Sequence, residues 1–175
     1  IPIGIMFFIG VYDDFYKADF KLKFFFQIIV AKILIDQGYV ITNYYGLFGI
    51  DSIPWLIAQL TTVFVFLVVI NSINFIDGID GLAITEFIKI FLLIEYFKTS
   101  GSDQILSLGF LVITSIIPLY YFNLKKKRKI FLGDGGSLLL GTLIMIFLLS
   151  LLNEKTIVDD SINKFALSIT ILIYP

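Results

Sequence analysis

Three short stretches of the 175-residue chain carry the residue types that could do chemistry. The first is Gly10-Val11-Tyr12-Asp13-Asp14-Phe15-Tyr16-Lys17, with two adjacent carboxylates. Neighbouring acids repel unless a cation or a shared proton relieves them. The second is Asn71-Ser72-Ile73-Asn74-Phe75-Ile76-Asp77-Gly78-Ile79-Asp80-Gly81-Leu82-Ala83. If it is helical, Asn74, Asp77 and Asp80 recur at i,i+3 and line one face. The third, Lys125-Lys126-Lys127-Arg128-Lys129-Ile130-Phe131-Leu132-Gly133-Asp134-Gly135-Gly136-Ser137, opens an apolar run. Ser137 there reads as an N-cap, and the glycine-rich turn would expose N–H groups at a helix N-terminus, an anion site. Asp134 adds a hard ligand for a cation bridging that anion. The basic run has a simpler use as well, since juxtamembrane lysines set topology and attract anionic lipid.

The absent residue types narrow the chemistry. The chain has no Cys, so it offers neither a disulfide framework nor a thiolate nucleophile. It has no His, which removes the Ser-His-Asp triad and the imidazole base. What remains is carboxylates, amides, hydroxyls, lysines and backbone N–H groups. Oxygen donors of this kind suit Mg²⁺, which binds through one or two carboxylates plus substrate phosphates. The expected chemistry is phosphate transfer, in which a protein mainly positions groups and neutralises charge.

The elements that hold these residues must be membrane helices. Hydrophobic residues make up 58% of the chain, charged residues 15%, and mean hydropathy is +0.97. A soluble domain is nearer 45–50% apolar and about 25% charged. A spanning helix needs about 20 mostly apolar residues. Seven segments meet or approach that: 1–11 (cut short), 22–41, 54–73, 82–98, 104–123, 137–153 and 162–175 (cut short). The expected fold is an all-α, polytopic transmembrane helix bundle forming a single domain. Three pairs inside the spans are spaced for ion pairing, Lys32 with Asp36, Glu86 with Lys89, and Glu95 with Lys98. The chain starts without Met, at Ile1-Pro2-Ile3-Gly4, and stops in an apolar run at Tyr174-Pro175, so it is expected to be an internal piece of a longer protein.

Net charge is −1, from 14 acids against 13 bases, and gives no case for a nucleic-acid partner. Its distribution is more informative. Alternating the loops puts Lys17, Lys21, Lys23, Lys125, Lys126, Lys127, Arg128 and Lys129 on one side, and only Lys98, Lys155 and Lys164 on the other. The positive-inside rule makes the first side cytoplasmic. All three polar stretches fall on it.

These residues carry a family pattern. Gly10-x-x-Asp13-Asp14 with Lys21-Leu22-Lys23 and Gln27 resembles the first signature of the polyprenyl-phosphate N-acetylhexosamine-1-phosphate transferases, of the glycosyltransferase family 4 type. Asn71-x-x-Asn74-x-x-Asp77-Gly78-x-Asp80-Gly81-Leu82-Ala83 resembles the second, and Phe131-x-Gly133-Asp134-x-Gly136-Ser137 the third. The resemblance covers essentially the whole chain and implies transfer of a sugar-1-phosphate from a UDP-sugar to undecaprenyl phosphate, with release of UMP. It implies Mg²⁺, with Mn²⁺ as a substitute, an active site on the cytoplasmic side of the inner membrane, and a homodimer. By match to the family motifs, Asp134 and Asp77 would ligate metal. Asp13, Asp14 and Asp80 would be catalytic, the adjacent pair acting either on the lipid phosphate's proton or as nucleophile. Asn74, Asp77, Lys21, Gly136 and Ser137 would bind substrate. Lys17 sits where the peptidoglycan-precursor branch has an active-site lysine.

Three features depart from the family pattern, one being that the family's opening two helices and their basic loop are missing. Ile84-Thr85 stands where small residues often follow Gly-Leu-Ala, and the family's His-containing loop would come only after Pro175, so the chain alone is expected to be inactive. The short segment from Asp14 to Gln27 looks more like the GlcNAc-1-phosphate branch, which initiates surface glycans such as lipopolysaccharide and cell-wall polymers, than the MurNAc-pentapeptide branch. An ion-coupled transporter is the alternative of another class, and it would place acids near the bilayer midplane.

Overall fold

The structure is a computed structural model that describes residues 1–46, 49–50, 52–97, 103–125, 130–153, 166 and 169–170. The seventh predicted span and the bases at 126–129 lie almost wholly outside the described residues, as does the Glu95–Lys98 pair. Among the described residues six helices form: α1 (Pro2–Tyr16), α2 (Phe20–Asp36), α3 (Trp55–Ile76), α4 (Leu82–Phe97), α5 (Asp103–Asn123) and α6 (Gly133–Asn153). No strand occurs among the described residues, and a lone β-bridge joins Asn43 to Ser52. The fold is an all-α membrane helix bundle.

Local sequence explains several of the helix ends. Pro2 begins α1, where its missing N–H costs nothing. Lys17 closes α1 in the left-handed region at φ 51°, its N–H on the Asp13 carbonyl. Asp19 caps α2, its side chain accepting from the Lys21 N–H at 3.1 Å. Gly81, at φ +73°, turns the chain from α3 into α4.

Helix α6 is the axis of the bundle. It is apolar on every face, a pattern that fits a helix enclosed by others. Helices α1, α3 and α4 pack around it, α2 packs on α1 and α3, and α5 leans on α4. Its residues from Leu138 to Leu152 are mostly buried. Phe147 meets Phe87 and Phe91 of α4, with Phe91–Phe147 ring centroids 5.2 Å apart. Gly141 lets the α3 backbone approach at Ile70, whose Cα would lie 3.0 Å from an added Cβ. By length and hydropathy α3 and α6 can each cross a membrane. The outer surfaces stay apolar: Phe8, Leu56, Leu60 and Phe64 are all more than 60% exposed. Rows of this kind suit lipid chains rather than water.

Polar contacts close the bundle at the end away from the motifs. Tyr45 donates to the Leu152 carbonyl at 2.7 Å, and the Ile41 N–H donates to the Thr62 hydroxyl at 2.9 Å. Inside the bundle, Gln27 and Asn71 exchange amide hydrogen bonds at 2.9 and 3.3 Å, joining α2 to α3. Lys32 pairs with Asp36 at 2.5 Å, and Lys89 pairs with Glu86.

Candidate active site at the start of α6

The three polar stretches converge where α6 begins. The last turn of α1 brings Asp13 and Asp14, the last turn of α3 brings Asn74, and Asp77 follows directly at the α3 C-cap. Lys23, in the first turn of α2, is the cation at the centre. Its ammonium donates to Asp13 Oδ2 at 2.7 Å and to Asp134 Oδ2 at 3.0 Å. The other Asp134 oxygen accepts from the Asn74 amide at 2.9 Å. The same amide donates to the Ser137 hydroxyl at 2.8 Å. Four helices thus meet on one carboxylate.

Helix α6 starts at Gly133, four residues earlier than the sequence reading placed it, so Ser137 is not its N-cap. The end is capped by carboxylates from other helices. Asp14 accepts the Asp134 N–H at 2.8 Å on one oxygen and the Gly135 N–H at 3.0 Å on the other. Asp77 accepts the Gly133 N–H. The N–H groups expected to form an anion site are therefore filled from within the chain. Close approach makes this fit, since a Cβ on Gly10 would lie 2.4 Å from the Asp134 carbonyl oxygen.

Burial and the negative charges of Asp134 and Asp14 push the Asp77 carboxyl up to about 6, and the Gly133 N–H opposes this. A carboxylate in a negative field is where added positive charge is most stabilising. Among the described residues no three acids form a ready cation cage. The donor set of Asp77 and Asp134 fits a hard cation that completes its shell with phosphate oxygens and water.

The remaining predicted residues are placed differently from one another. Asp80 is exposed on the turn after Asp77, because α3 ends at Ile76 and the i,i+3 face does not reach it. Lys21 is exposed on the outside of α2, and the neighbouring Lys23 makes the contacts instead. Gly136 lies under Leu132 and lines an apolar groove of about 370 Å³ with Leu111, Ser115 and Leu139. Two residues are more than half a helical turn, so this groove faces away from Asp134. Ser137 is fully buried, its hydroxyl held by Asn74 and the Asp134 carbonyl.

Sequence reasoning also missed Asn123. It is buried, accepts the Gly81 N–H at 2.5 Å and donates to the Ile130 carbonyl at 2.9 Å, tying together the two loops that carry the second and third motifs. A lone Asn ending an apolar helix beside a turn was the available signal. Thr85, in the Ile84-Thr85 pair that departs from the family pattern, donates back to the Gly81 carbonyl at 2.8 Å and steadies the same turn.

The model of glycosyl transferase family 4 matches residues 1–152. The chain belongs to that family. A Bacillus subtilis (strain 168) protein named probable undecaprenyl-phosphate N-acetylglucosaminyl 1-phosphate transferase is 33% identical over 99% of this chain and 48% of its own length. Proteins named undecaprenyl-phosphate alpha-N-acetylglucosaminyl 1-phosphate transferase are similar too. The one from Escherichia coli (strain K12) is 28% identical over 87% of this chain and 43% of its own. The one from Yersinia pestis is 30% identical over 83% of this chain and 42% of its own. The chain therefore spans about half the length of the curated relatives it matches. No solved structure matches it at a significant level.

Proposed function

We propose that the full-length protein carrying this chain transfers a sugar-1-phosphate, GlcNAc-1-phosphate by analogy with the named relatives, from a UDP-sugar to undecaprenyl phosphate. The observation that carries this reading is the convergence of Asp13, Lys23, Asn74, Asp77 and Asp134 at the start of α6. Family membership and the relatives' names support it. In this reading an oxygen of the lipid phosphate attacks the β-phosphorus of the nucleotide sugar. The bond to the bridging oxygen of UMP breaks, and UMP leaves with the electron pair. Asp13 orients the lipid phosphate or takes its proton, and the Lys23 ammonium balances the charge gathered there. A lipid phosphate is already largely ionised near neutral pH, so positioning is the larger contribution.

Asp134 and Asp77 would hold Mg²⁺, with Mn²⁺ as a substitute. When bound, the cation supplies neutralising charge at the diphosphate. Asn74 fixes Asp134 by donating to it and is in turn fixed by Ser137. The site is assigned to the cytoplasmic face of the inner membrane, on the strength of Lys17, Lys21, Lys23 and the bases from Lys125 to Lys129.

The test uses membranes containing the full-length protein, radiolabelled UDP-GlcNAc, undecaprenyl phosphate and Mg²⁺. Labelled lipid is the expected product. Label taken up into sealed vesicles with no lipid product would replace the reading with a transporter. Product formed only from UDP-MurNAc-pentapeptide would move it to the peptidoglycan branch.

A further inference from the structure

The adjacent acids Asp13 and Asp14 point to different partners. Successive helical residues lie about 100° apart, so neighbours in sequence face different neighbours in space. Asp13 meets the Lys23 ammonium. Asp14 meets backbone, and each of its two oxygens accepts one N–H from α6, of Asp134 at 2.8 Å and of Gly135 at 3.0 Å.

The surroundings are shaped to this clamp. Gly133 sits at φ +71°, and a Cβ there would come 2.8 Å from Asp14 Oδ2. A Cβ on Gly135 would meet Val11 Cγ2 at 2.9 Å, and one on Gly10 would strike the Asp134 backbone. Three glycines thus clear the space in which the Asp14 carboxylate reaches the helix end. An ionised carboxylate on helix N-terminal N–H groups is favoured by both the hydrogen bonds and the helix dipole.

We propose that Asp14 is a positioning residue: it pins the start of α6 and so sets the backbone from which the Asp134 side chain reaches Lys23 and Asn74. The pinned amide belongs to Asp134 itself, so release of the clamp moves that carboxylate directly. This assignment rests on the proposed transfer only for its consequence in turnover, because the clamp itself is a property of the fold. It takes Asp14 out of the role of nucleophile or base, since both of its oxygens are committed to backbone.

Hydrogen–deuterium exchange of the 134–135 amides, together with the pH profile of UMP release, tests the assignment in the full-length protein. Three variants are compared: Asp14→Asn, which keeps one acceptor; Asp14→Ala, which keeps none; and Asp13→Asn, which spares the clamp. Exchange at the two amides should quicken roughly tenfold in Asp14→Asn, further in Asp14→Ala, and not in Asp13→Asn. UMP release by Asp14→Asn should fall on the order of tenfold to a hundredfold with the shape of its pH profile unchanged. Wild-type exchange rates in Asp14→Asn, or loss of the acid limb of its pH profile, would overturn the assignment. If the unmodified protein releases no UMP, the transfer reading fails, and the exchange measurement still decides the clamp.

Discussion

Asp77 is the residue whose charge state responds most directly to its surroundings. Burial and the nearby Asp134 and Asp14 hold its carboxyl at about 6 in the folded chain, above the ordinary 3.8. The folded form therefore keeps a proton that the unfolded form gives up between those values. Stability falls as pH rises through that window, and the penalty is complete above about pH 6. Solvent screening of this half-buried group keeps the penalty to about 1 kcal/mol. Asp77→Asn should then melt about 2–4 °C higher than wild type at pH 7.5 without divalent cation, and together with it near pH 3.5. Added Mg²⁺ should raise the wild-type melting temperature more than that of the variant. Thermal unfolding of the purified full-length protein at the two pH values reads both outcomes. The candidate acids were legible in the sequence, because Asp pairs and Asp-Gly turns among apolar runs have few bland explanations. The choice of Lys23 over Lys21 was not, because it depends on which face of α2 turns toward α1, and the polar residues of α2 are spread around the helix without marking one face.

At the scale of elements, the α1–α6 seam governs the site. The backbones approach at Gly10 so closely that a Cβ there would meet the Asp134 carbonyl oxygen at 2.4 Å and the Gly135 Cα at 2.5 Å. Neither is a flexible side-chain tip, so Gly10→Ala must push the helices apart. A loss of about 3 kcal/mol is expected, and the separation should abolish activity. Gly4 has nothing within 4 Å of its added Cβ, so Gly4→Ala in the same helix should stay within about 0.5 kcal/mol of wild type. Denaturation of the two variants side by side separates seam geometry from helix propensity. The helices themselves were readable from runs of apolar residues, but their ends near the site were not. Helix α6 begins at Gly133 because Asp14 and Asp77 cap it from other helices. Caps supplied from distant parts of the chain, 120 residues away for Asp14 and Asp134, leave no mark in the local sequence. For the same reason Asp80 fell off the expected face: α3 ends at Ile76, and the turn through Gly81 is held from α5 by Asn123.

Across the whole molecule, the near-zero net charge hides a sorted distribution, with most of the basic residues in the segments that also carry Asp13, Asp14, Asp77 and Asp134. The chain contains no Cys, so no native thiol within these 175 residues competes in accessibility labelling. In intact cells, an impermeant maleimide should label Ser52→Cys, in the loop away from the site, and should leave Asp19→Cys unlabelled until the cells are opened. The reverse pattern would invert the proposed orientation. The bundle as a whole reads as a scaffold that brings three stretches, as much as 124 residues apart between Gly10 and Asp134, onto one membrane face around one helix start. The cluster is proposed to perform sugar-1-phosphate transfer in the full-length protein, and Asp134 is its common point. The most direct test is UMP release from UDP-GlcNAc by the full-length protein with undecaprenyl phosphate and Mg²⁺, comparing wild type with Asp134→Asn. Release by the wild type and a loss of at least about a thousandfold in the variant, with the variant still folded, are expected. Wild-type release rates in Asp134→Asn would contradict this proposal.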